Sequence, residues 1–252
     1  MVEHLFAALA HHAAQIAQPR PGEHVLDVGC GSGLVARAVY PMVVPTGSVT
    51  GIDVDIGALN TAKRLSAANH MRIDWRVCPS EHLPFADGLF DLVICQAALP
   101  HFTDQLQGLR EMSRVLRKRG RLVLVVFQSL DCHPIHSALK KVMRAFIAPE
   151  ADPSFSLGSP AQLQNMLIST GFDYINIVPF SLAAHYGTPD ACIDQLLMAD
   201  VNIGRLRGEL SHQDWLHFRK SLSEHMAEVL EAAILDGQVF VTYHVQIGLA
   251  TA

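Results

Sequence analysis

Short apolar runs alternate with amphipathic stretches over the first half of the chain. The first run, HVLDV (24–28), is nearly all apolar, a pattern typical of a strand buried at the centre of a parallel sheet, whereas MRIDWRV (71–77) alternates. The runs predict five strands, at 24–28, 48–53, 71–77, 90–96 and 121–127. Between them, apolar residues recur at helical spacing. This spacing predicts helices over 3–17, 32–40, 56–69 and 103–118.

Helix boundaries follow from three residues. Asp55 is a good N-cap for the helix that begins at residue 56, because its carboxylate can accept hydrogen bonds from the first free N–H groups. Pro41 is expected to stop the preceding helix, since proline lacks the N–H donor that a helix interior needs. Gly120 is expected to stop the helix over 103–118.

The second half of the chain is richer in helix. Helices are predicted near 133–147 and 160–170, and a strand over 173–180. Two helical stretches follow near 189–207 and 211–235, before a final strand over 238–250. Alternating strands and helices predict an α/β fold, doubly wound, with a mainly parallel seven-stranded sheet.

The domain organisation follows from the same pattern. We predict a single domain over 1–252, with a core at 20–127 that carries the chemistry. The helix at 1–17 and a helical insertion at 188–236 form a cap or substrate element. The apolar residues of these helices are explained by ordinary packing, by a lid over a hydrophobic substrate, or by both. They are also available to form a homodimer face.

Composition narrows the class of protein. Half of the 252 residues are hydrophobic, 17% are charged and the net charge is −5. Nucleic acid is therefore disfavoured as a partner, and the apolar run at 122–127 is too short for membrane insertion. The five cysteines contain no CxxC pair and are odd in number, which favours free thiols and a cytoplasmic location.

The stretch VLDVGCGSG (25–33) joins a predicted strand to a predicted helix through three glycines at alternate positions. Such a turn brings backbone close to a nucleotide and points helix N–H groups at it. A dinucleotide fingerprint would need glycine at position 34, which is Leu34. Asp27 would also repel a pyrophosphate, whereas it would attract a cationic ligand. S-adenosylmethionine, which carries a sulfonium and an ammonium, is such a ligand.

Four motifs in sequence order resemble one family. PGEHVLDVGCGSG (21–33) resembles the first motif of class I S-adenosylmethionine-dependent methyltransferases, and GID (51–53) lies where that family has its ribose-binding acid. EHLPFADGLFDLVIC (81–95) resembles the family's LPF segment, and residues 99–127 resemble its following helix, turn and fifth strand. The resemblance is greatest to the small-molecule branch typified by quinone-biosynthesis, type 11-like, enzymes. It implies the Rossmann-like methyltransferase fold.

The resemblance also implies a set of contacts to S-adenosyl-L-methionine. Asp53 is expected to accept both ribose hydroxyls. Because Pro79 stands where the branch has an acid, the adenine is expected to meet Ser80, backbone groups or Glu81. Gln96 ends the fourth strand and faces the cofactor crevice, where it could contact the cofactor or the substrate. The predicted cofactor-binding residues are Asp27, Gly29, Cys30, Gly31, Gly33, Asp53, Val54, Ser80, Glu81 and Gln96.

Histidines supply the candidate base and substrate contacts. His101 follows the fourth strand at the mouth of the site and is predicted to be the catalytic base. His133, His136 and His185 flank strands at the crevice and are predicted to contact the substrate, although a lone histidine is usually a surface or satisfied core residue. Cys132, His133 and His136 are closely spaced, but no second ligand cluster accompanies them. We therefore predict no metal site.

The predicted reaction is methyl transfer from S-adenosylmethionine to a small, hydrophobic acceptor, most simply at oxygen or carbon. Three alternatives stay open. A nicotinamide-dependent oxidoreductase shares the topology, but Leu34 and Asp27 argue against it. The fold can also bind S-adenosylmethionine and catalyse a non-methylating step such as a cyclisation. Finally, the chain could serve as a non-catalytic partner subunit.

Overall fold

The computed structural model describes residues 2–146, 153–199, 203 and 207–252. Its helices are α1 Val2–Ala17, α2 Leu34–Val43, α3 Ile56–Ala68, α4 Gln105–Val115, α5 Pro134–Met143, α6 Pro160–Ser169, α7 Pro189–Ala199 and α8 His212–Glu231. Its strands are β1 His24–Val28, β2 Ser48–Asp53, β3 Asp74–Val77, β4 Phe90–Gln96, β5 Leu116–Phe127, β6 Asp173–Gly187, β7 Ile234–Leu235 and β8 Gln238–Thr251. Single 3₁₀ turns occur at Leu99–His101, Leu130–Cys132 and Pro153–Phe155.

The chain divides into two compact units. The sheet unit comprises residues 6–128, 153–180 and 245–252, and the helical unit comprises residues 2–5, 129–146 and the described part of 181–244. Strands β6 and β8 run from one unit into the other. The prediction of a single domain with a helical cap stays a prediction.

The strands form one sheet in the order β3-β2-β1-β4-β5-β8-β6, with β7 paired to β8. Neighbouring pairs from β3 to β5 are parallel, and β8 is antiparallel to β5. The predicted α/β, doubly wound and mainly parallel sheet is thus confirmed, with the two-residue β7 as an addition. Because β1, β2, β4 and β5 are parallel, their carboxyl ends share one edge of the sheet, where ligands of such folds bind.

Burial explains why these runs are strands. All residues of β1 except its first are buried, and six of the seven residues of β4 are buried. One face of the sheet packs against α4 and α6 through a large apolar cluster that includes Val93, Leu109, Met112, Leu163 and Leu167. Burying a leucine or valine contributes about 1.5–3 kcal/mol, so this cluster is a major source of stability.

Several predicted boundaries are confirmed and others are wrong. Strands β1, β2 and β4 have the predicted bounds, and Asp55 caps α3 by accepting N–H groups from Gly57 and Ala58 at 2.7 and 3.1 Å. Pro41 does not stop α2, which continues to Val43. Proline costs a helix one backbone hydrogen bond. In the last turn, where helix ends fray, this loss is small enough for α2 to continue past Pro41.

The junction of α4 and β5 also differs from the prediction. Helix α4 ends at Val115, and Leu116 already belongs to β5. Leu116 pairs with Phe90 and is 4% exposed, so sheet pairing and burial determine its conformation. A register shift follows, because Leu92 pairs with Arg121. Gly120 therefore lies inside an irregular strand and does not stop the helix.

The remaining element predictions are borne out in outline. Strand β3 begins only at Asp74, and β6 extends to Gly187. Helix α7 ends at Ala199, and the rest of the helix predicted to 207 lies largely outside the described residues. The helix predicted to 147 ends earlier, at Met143, and residues 144–146 form a turn. No helix in the described ranges combines the length and apolar character needed to cross a membrane.

Candidate functional site

The glycine loop, residues 29–33, joins β1 to α2 at the carboxyl edge of the sheet. Gly29, Gly31 and Gly33 have φ values of 67°, 52° and 78°. A Cβ at Gly29 would overlap the Cβ of Ala98, and one at Gly33 would overlap the indole ring of Trp75. Both positions therefore need glycine for conformation and for space. Without side chains at these positions, the backbone of the loop can approach a ligand closely.

Asp53 fixes this loop from the end of β2. Its Oδ2 accepts the N–H of Gly31 at 2.7 Å, and its Oδ1 accepts the N–H of Asp55 at 2.9 Å. Each carboxylate oxygen keeps a further lone pair, so the group can still accept hydroxyl donors. Val54, the next residue, is 67% exposed and presents an apolar surface beside the carboxylate.

Asp27 lies beneath the loop and is 1% exposed. Its Oδ2 accepts the N–H of Ala36 in α2 at 2.9 Å. Burial raises the pKa of Asp27 to about 7, and the neighbouring charge of Asp53 adds to the increase. Burial likewise raises the pKa of the Cys30 thiol, so this cysteine is an uncharged part of the loop.

Ser80 and Glu81 form a second cluster, at the start of the LPF segment. The hydroxyl of Ser80 donates to Glu81 Oε2 at 3.0 Å, and the N–H of Asp104 donates to Glu81 Oε1 at 3.2 Å. Burial alone would raise the pKa of Glu81, but hydrogen bonds from Asp104, Ser80 and other donors hold it below its ordinary value. Glu81 thus anchors the turn before α4, and its contact with adenine stays a prediction.

The end of β4 carries Gln96 and a strained turn. Gln96 Nε2 donates to the carbonyl of Phe6 in α1 at 3.1 Å. Ala97 has a φ of 56°, which is unusual for a residue other than glycine. This turn places Ala98 against Gly29 and leads into the 3₁₀ turn that ends at His101. His101 is exposed, and its Nε2 lies 3.3 Å from Ser154 Oγ.

Aromatic rings line the same edge of the sheet. The ring centroid of Phe127, the last residue of β5, is 5.7 Å from that of Phe155 and 6.2 Å from that of Phe6. Sequence reasoning did not single out these three rings. Phe127 could have been found as the residue at the carboxyl end of an apolar run, but nothing local relates it to Phe6 or Phe155.

The other predicted histidines belong to the helical unit. His133 is buried, and its ring accepts the N–H of His244 at Nε2 (3.0 Å) while Nδ1 lies 3.2 Å from the carbonyl of Ser129. These partners require a proton on Nδ1 and a neutral ring, and burial lowers the pKa of His133 in agreement.

His133 and His136 are brought together, whereas His185 is not. The first two line a cavity of about 310 Å³ between α5, the end of α8 and the start of β8, with His244 and mostly apolar neighbours. His185 is exposed, and its Nε2 lies 3.1 Å from Gln238 Oε1. Among the residues that the structure describes, no three histidine, cysteine, aspartate or glutamate side chains are grouped as metal ligands.

The loop suits S-adenosylmethionine better than a pyrophosphate-containing cofactor. Two carboxyl groups, Asp27 and Asp53, lie in or under the loop, and each would disfavour a phosphate. A cation near Asp27 would favour its ionised form and so lower its pKa. The carboxylate of Asp53 and the exposed Val54 match a ribose with an adenine beside it. The residues present therefore fit the group.

Comparison with known proteins gives the family. Residues 26–124 match the family model described as a methyltransferase domain. The chain is 30% identical over 193 residues to a ubiquinone/menaquinone biosynthesis C-methyltransferase UbiE from Laribacter hongkongensis, an alignment that covers 70% of this chain and 79% of that protein. A UbiE from Geotalea daltonii is 36% identical over 129 residues, which cover 49% of this chain and only 55% of that protein.

Solved structures agree on the fold. The YcgJ protein from Bacillus subtilis has a TM-score of 0.65 at 22% identity, covering 96% of this chain and 98% of that one. The (4+2)-cyclase SpnF has a TM-score of 0.59 at 17% identity, covering 97% and 80%. At these identities the likeness shows the Rossmann-like methyltransferase fold alone.

The fold, the site geometry and the relatives agree with the resemblance found in the sequence. S-adenosylmethionine is the cofactor of the family that they indicate. The chain belongs to the class I S-adenosylmethionine-dependent small-molecule methyltransferases.

Proposed function

We propose that this protein transfers the methyl group of S-adenosylmethionine to a small, largely apolar acceptor bound at the carboxyl ends of β4 and β5. The observation that carries the proposal is the glycine loop, which a hydrogen bond to Asp53 holds in place. Beside it, Phe127 ends β5 and His101 lies in the turn after β4. The relatives named as C-methyltransferases favour carbon as the methylated atom, and oxygen is the alternative.

The chain's own residues have separable tasks in this proposal. When bound, the cofactor would supply a methyl group attached to a sulfonium, and the sulfur would leave as a neutral thioether. Asp53, Val54 and the loop orient it, with Asp27 at its cationic end and Cys30, Ser80 and Glu81 along its length. His101 Nε2 takes the proton that the acceptor's hydroxyl or acidic C–H gives up. Holding the reactants in line contributes on the order of 7–11 kcal/mol.

Formation of S-adenosylhomocysteine tests the proposal. The purified chain is incubated with S-adenosylmethionine and a panel of small phenols and enolisable carbonyl compounds, and the product is measured by chromatography. We expect turnover with at least one member. His101→Ala should lower turnover by about 10²–10⁴-fold, because a positioned base contributes that much. The exposed His212, in the helical unit, gives the matched control His212→Ala. Loss of less than a few-fold in His101→Ala would refute the role of the base.

A second candidate is a non-methylating reaction with the cofactor bound, such as a cyclisation. What favours it is the fold shared with the cyclase SpnF. It predicts that S-adenosylmethionine binds and is not consumed. A third reading, a non-catalytic partner subunit with a vestigial pocket, predicts that S-adenosylmethionine does not bind, so a binding titration beside the product assay separates all three.

The remaining sequence predictions are proposals of the same kind. Substrate contacts by His133, His136 and His185 stay predictions: the first two line one cavity of the helical unit, and both ring nitrogens of His133 already have partners within that unit. We infer a small-molecule acceptor in place of nucleic acid, from the net charge of −5. A reducing, cytoplasmic location is supported by the five free cysteines. A homodimer is the least supported, since most apolar residues of α7 and α8 are buried, with Met198 and Leu216 exposed as exceptions.

A further inference from the structure

Gln96 is half-buried at the carboxyl end of β4. The nitrogen and the oxygen of its side-chain amide differ in their hydrogen bonding. Nε2 donates to the Phe6 carbonyl at 3.1 Å. Oε1 is buried, and no donor among the described residues reaches it. Exchanging the two atoms would set oxygen against the carbonyl oxygen of Phe6, so this orientation of the amide is fixed by its partner. Gln96 therefore holds a buried acceptor in a defined direction.

An unsatisfied buried acceptor of this kind is destabilising. Such acceptors are uncommon in native structures, and each calls for an explanation, which can be a bound ligand. At the carboxyl edge of the sheet, beside a methyl-donor loop, the explanation is a ligand that supplies the missing donor. Because the side chain as a whole is only half-buried, we expect a ligand to reach Oε1 through a small shift of this side chain.

The rings of Phe6, Phe127 and Phe155 indicate the chemical class of that ligand. Gln96 pairs with Val125 in β5, and Val125 lies two residues before Phe127, so Gln96 and Phe127 share one face of the sheet. The Phe6 that Gln96 binds through its carbonyl also packs its ring on Phe127. Ala98, by contrast, lies against Gly29 on the cofactor side. The amide thus faces an aromatic site, and the next residues face the loop.

We propose that Gln96 is the acceptor-positioning residue: its Oε1 accepts a hydrogen bond from a hydroxyl or N–H group of a flat, aromatic acceptor that packs among Phe6, Phe127 and Phe155. The proposal rests on the proposed function, because it places the acceptor at the same site. It assigns the substrate class as an aromatic that carries a donor next to the methylated atom. An aromatic without that donor is a poor ligand.

A binding experiment with two probes tests this. A naphthol has a hydroxyl donor, which its methyl ether replaces with a methyl group, and each is titrated calorimetrically into the enzyme saturated with S-adenosylhomocysteine. The wild type should bind the naphthol about tenfold more tightly than the ether. Gln96→Met, which keeps the length of the side chain and removes the amide, should bind both within about twofold. Gln128, a half-buried glutamine that donates to the Val245 carbonyl at 3.3 Å, gives the matched control Gln128→Met, which should keep the preference.

The outcomes separate the proposal from its premise. The proposal is overturned if Gln96→Met still binds the naphthol more tightly than the ether. It is also overturned if neither probe binds the wild type saturated with S-adenosylhomocysteine. A tenfold loss of S-adenosylhomocysteine affinity in Gln96→Met would place the residue with the cofactor instead. If the Met variant unfolds, Gln96→Asn, which withdraws Oε1 by one methylene, should lose the preference in its place. Failure of the wild type to bind S-adenosylhomocysteine would refute the proposed function itself.

Discussion

Single residues determine what the loop can bind, and Asp27 is the least ordinary of them. A carboxyl group with 1% exposure and one hydrogen-bond donor, the N–H of Ala36, is poorly stabilised as an anion. Sequence reasoning placed Asp27 at the ammonium end of the cofactor by charge alone. It could not foresee that burial brings the pKa to about 7, since burial depends on how α2 covers the strand.

The raised pKa of Asp27 predicts how stability depends on pH. The folded pKa, about 7, is above the ordinary value of 3.8. The folded state therefore holds a proton that the unfolded chain has released, and this contribution is lost as pH rises from about 4 to 7. The loss can reach about 1.4 kcal/mol per pH unit. Asp27→Asn should remove it, so the free energy of unfolding of the wild type should fall relative to the variant over this range.

Urea denaturation of both proteins at several pH values measures the difference. Asparagine can still accept the N–H of Ala36, so the variant keeps the local hydrogen bond. Parallel pH profiles, or a wild type that gains stability relative to Asp27→Asn as pH rises, would contradict the raised pKa.

At the scale of elements, Arg114 of α4 holds the LPF segment in place. Its guanidinium donates to the carbonyls of Leu83 and Phe85 at 2.9 and 2.8 Å and to the carboxylates of Glu111 and Asp87 at 2.7 Å. A planar fork is needed for this set of partners, and lysine cannot reproduce it. The helix and the segment before β4 are therefore joined by one side chain.

Arg114→Lys is expected to destabilise the protein by about 1–3 kcal/mol, because it leaves backbone carbonyls without their donors. The free energy of unfolding in urea is the measurement. Arg110, exposed on the same helix, supplies the control Arg110→Lys, which should be close to neutral. An Arg114→Lys protein as stable as the control would show that the interactions of Arg114 contribute nothing net.

Elements with a strong local pattern were predictable, and elements decided by tertiary pairing were not. Strands β1, β2 and β4 are continuous apolar runs, and their bounds follow from the sequence. The start of β5 does not, because Leu116 continues the helical pattern of α4 and only its pairing with Phe90 makes it a strand. For the site, the glycines and Asp53 are adjacent as the motifs imply. The approach of Trp75 to Gly33 is visible only in the fold.

At the scale of the molecule, the family match and the predicted cofactor contacts lie between residues 26 and 124, whereas the three rings proposed to hold the acceptor, Phe6, Phe127 and Phe155, lie outside that range. The helical unit carries no motif, so its cavity with His133 and His136 could not be predicted from the sequence. This division explains why the cofactor was predictable from the sequence and the acceptor was not. The sheet unit carries the shared chemistry, and the central claim about the molecule is that this chemistry uses S-adenosylmethionine.

Calorimetric titration of the purified chain with S-adenosylmethionine tests that claim most directly, with NAD and NADP as controls. We predict saturable binding of S-adenosylmethionine, no binding of the dinucleotides, and at least tenfold weaker binding in Asp53→Ala, which removes an anchor of the loop and about 1.4 kcal/mol or more of interaction. Asp55→Ala, which removes only the cap of α3, should bind as the wild type does. Binding of NAD in place of S-adenosylmethionine, or equal affinity in Asp53→Ala, would contradict the account.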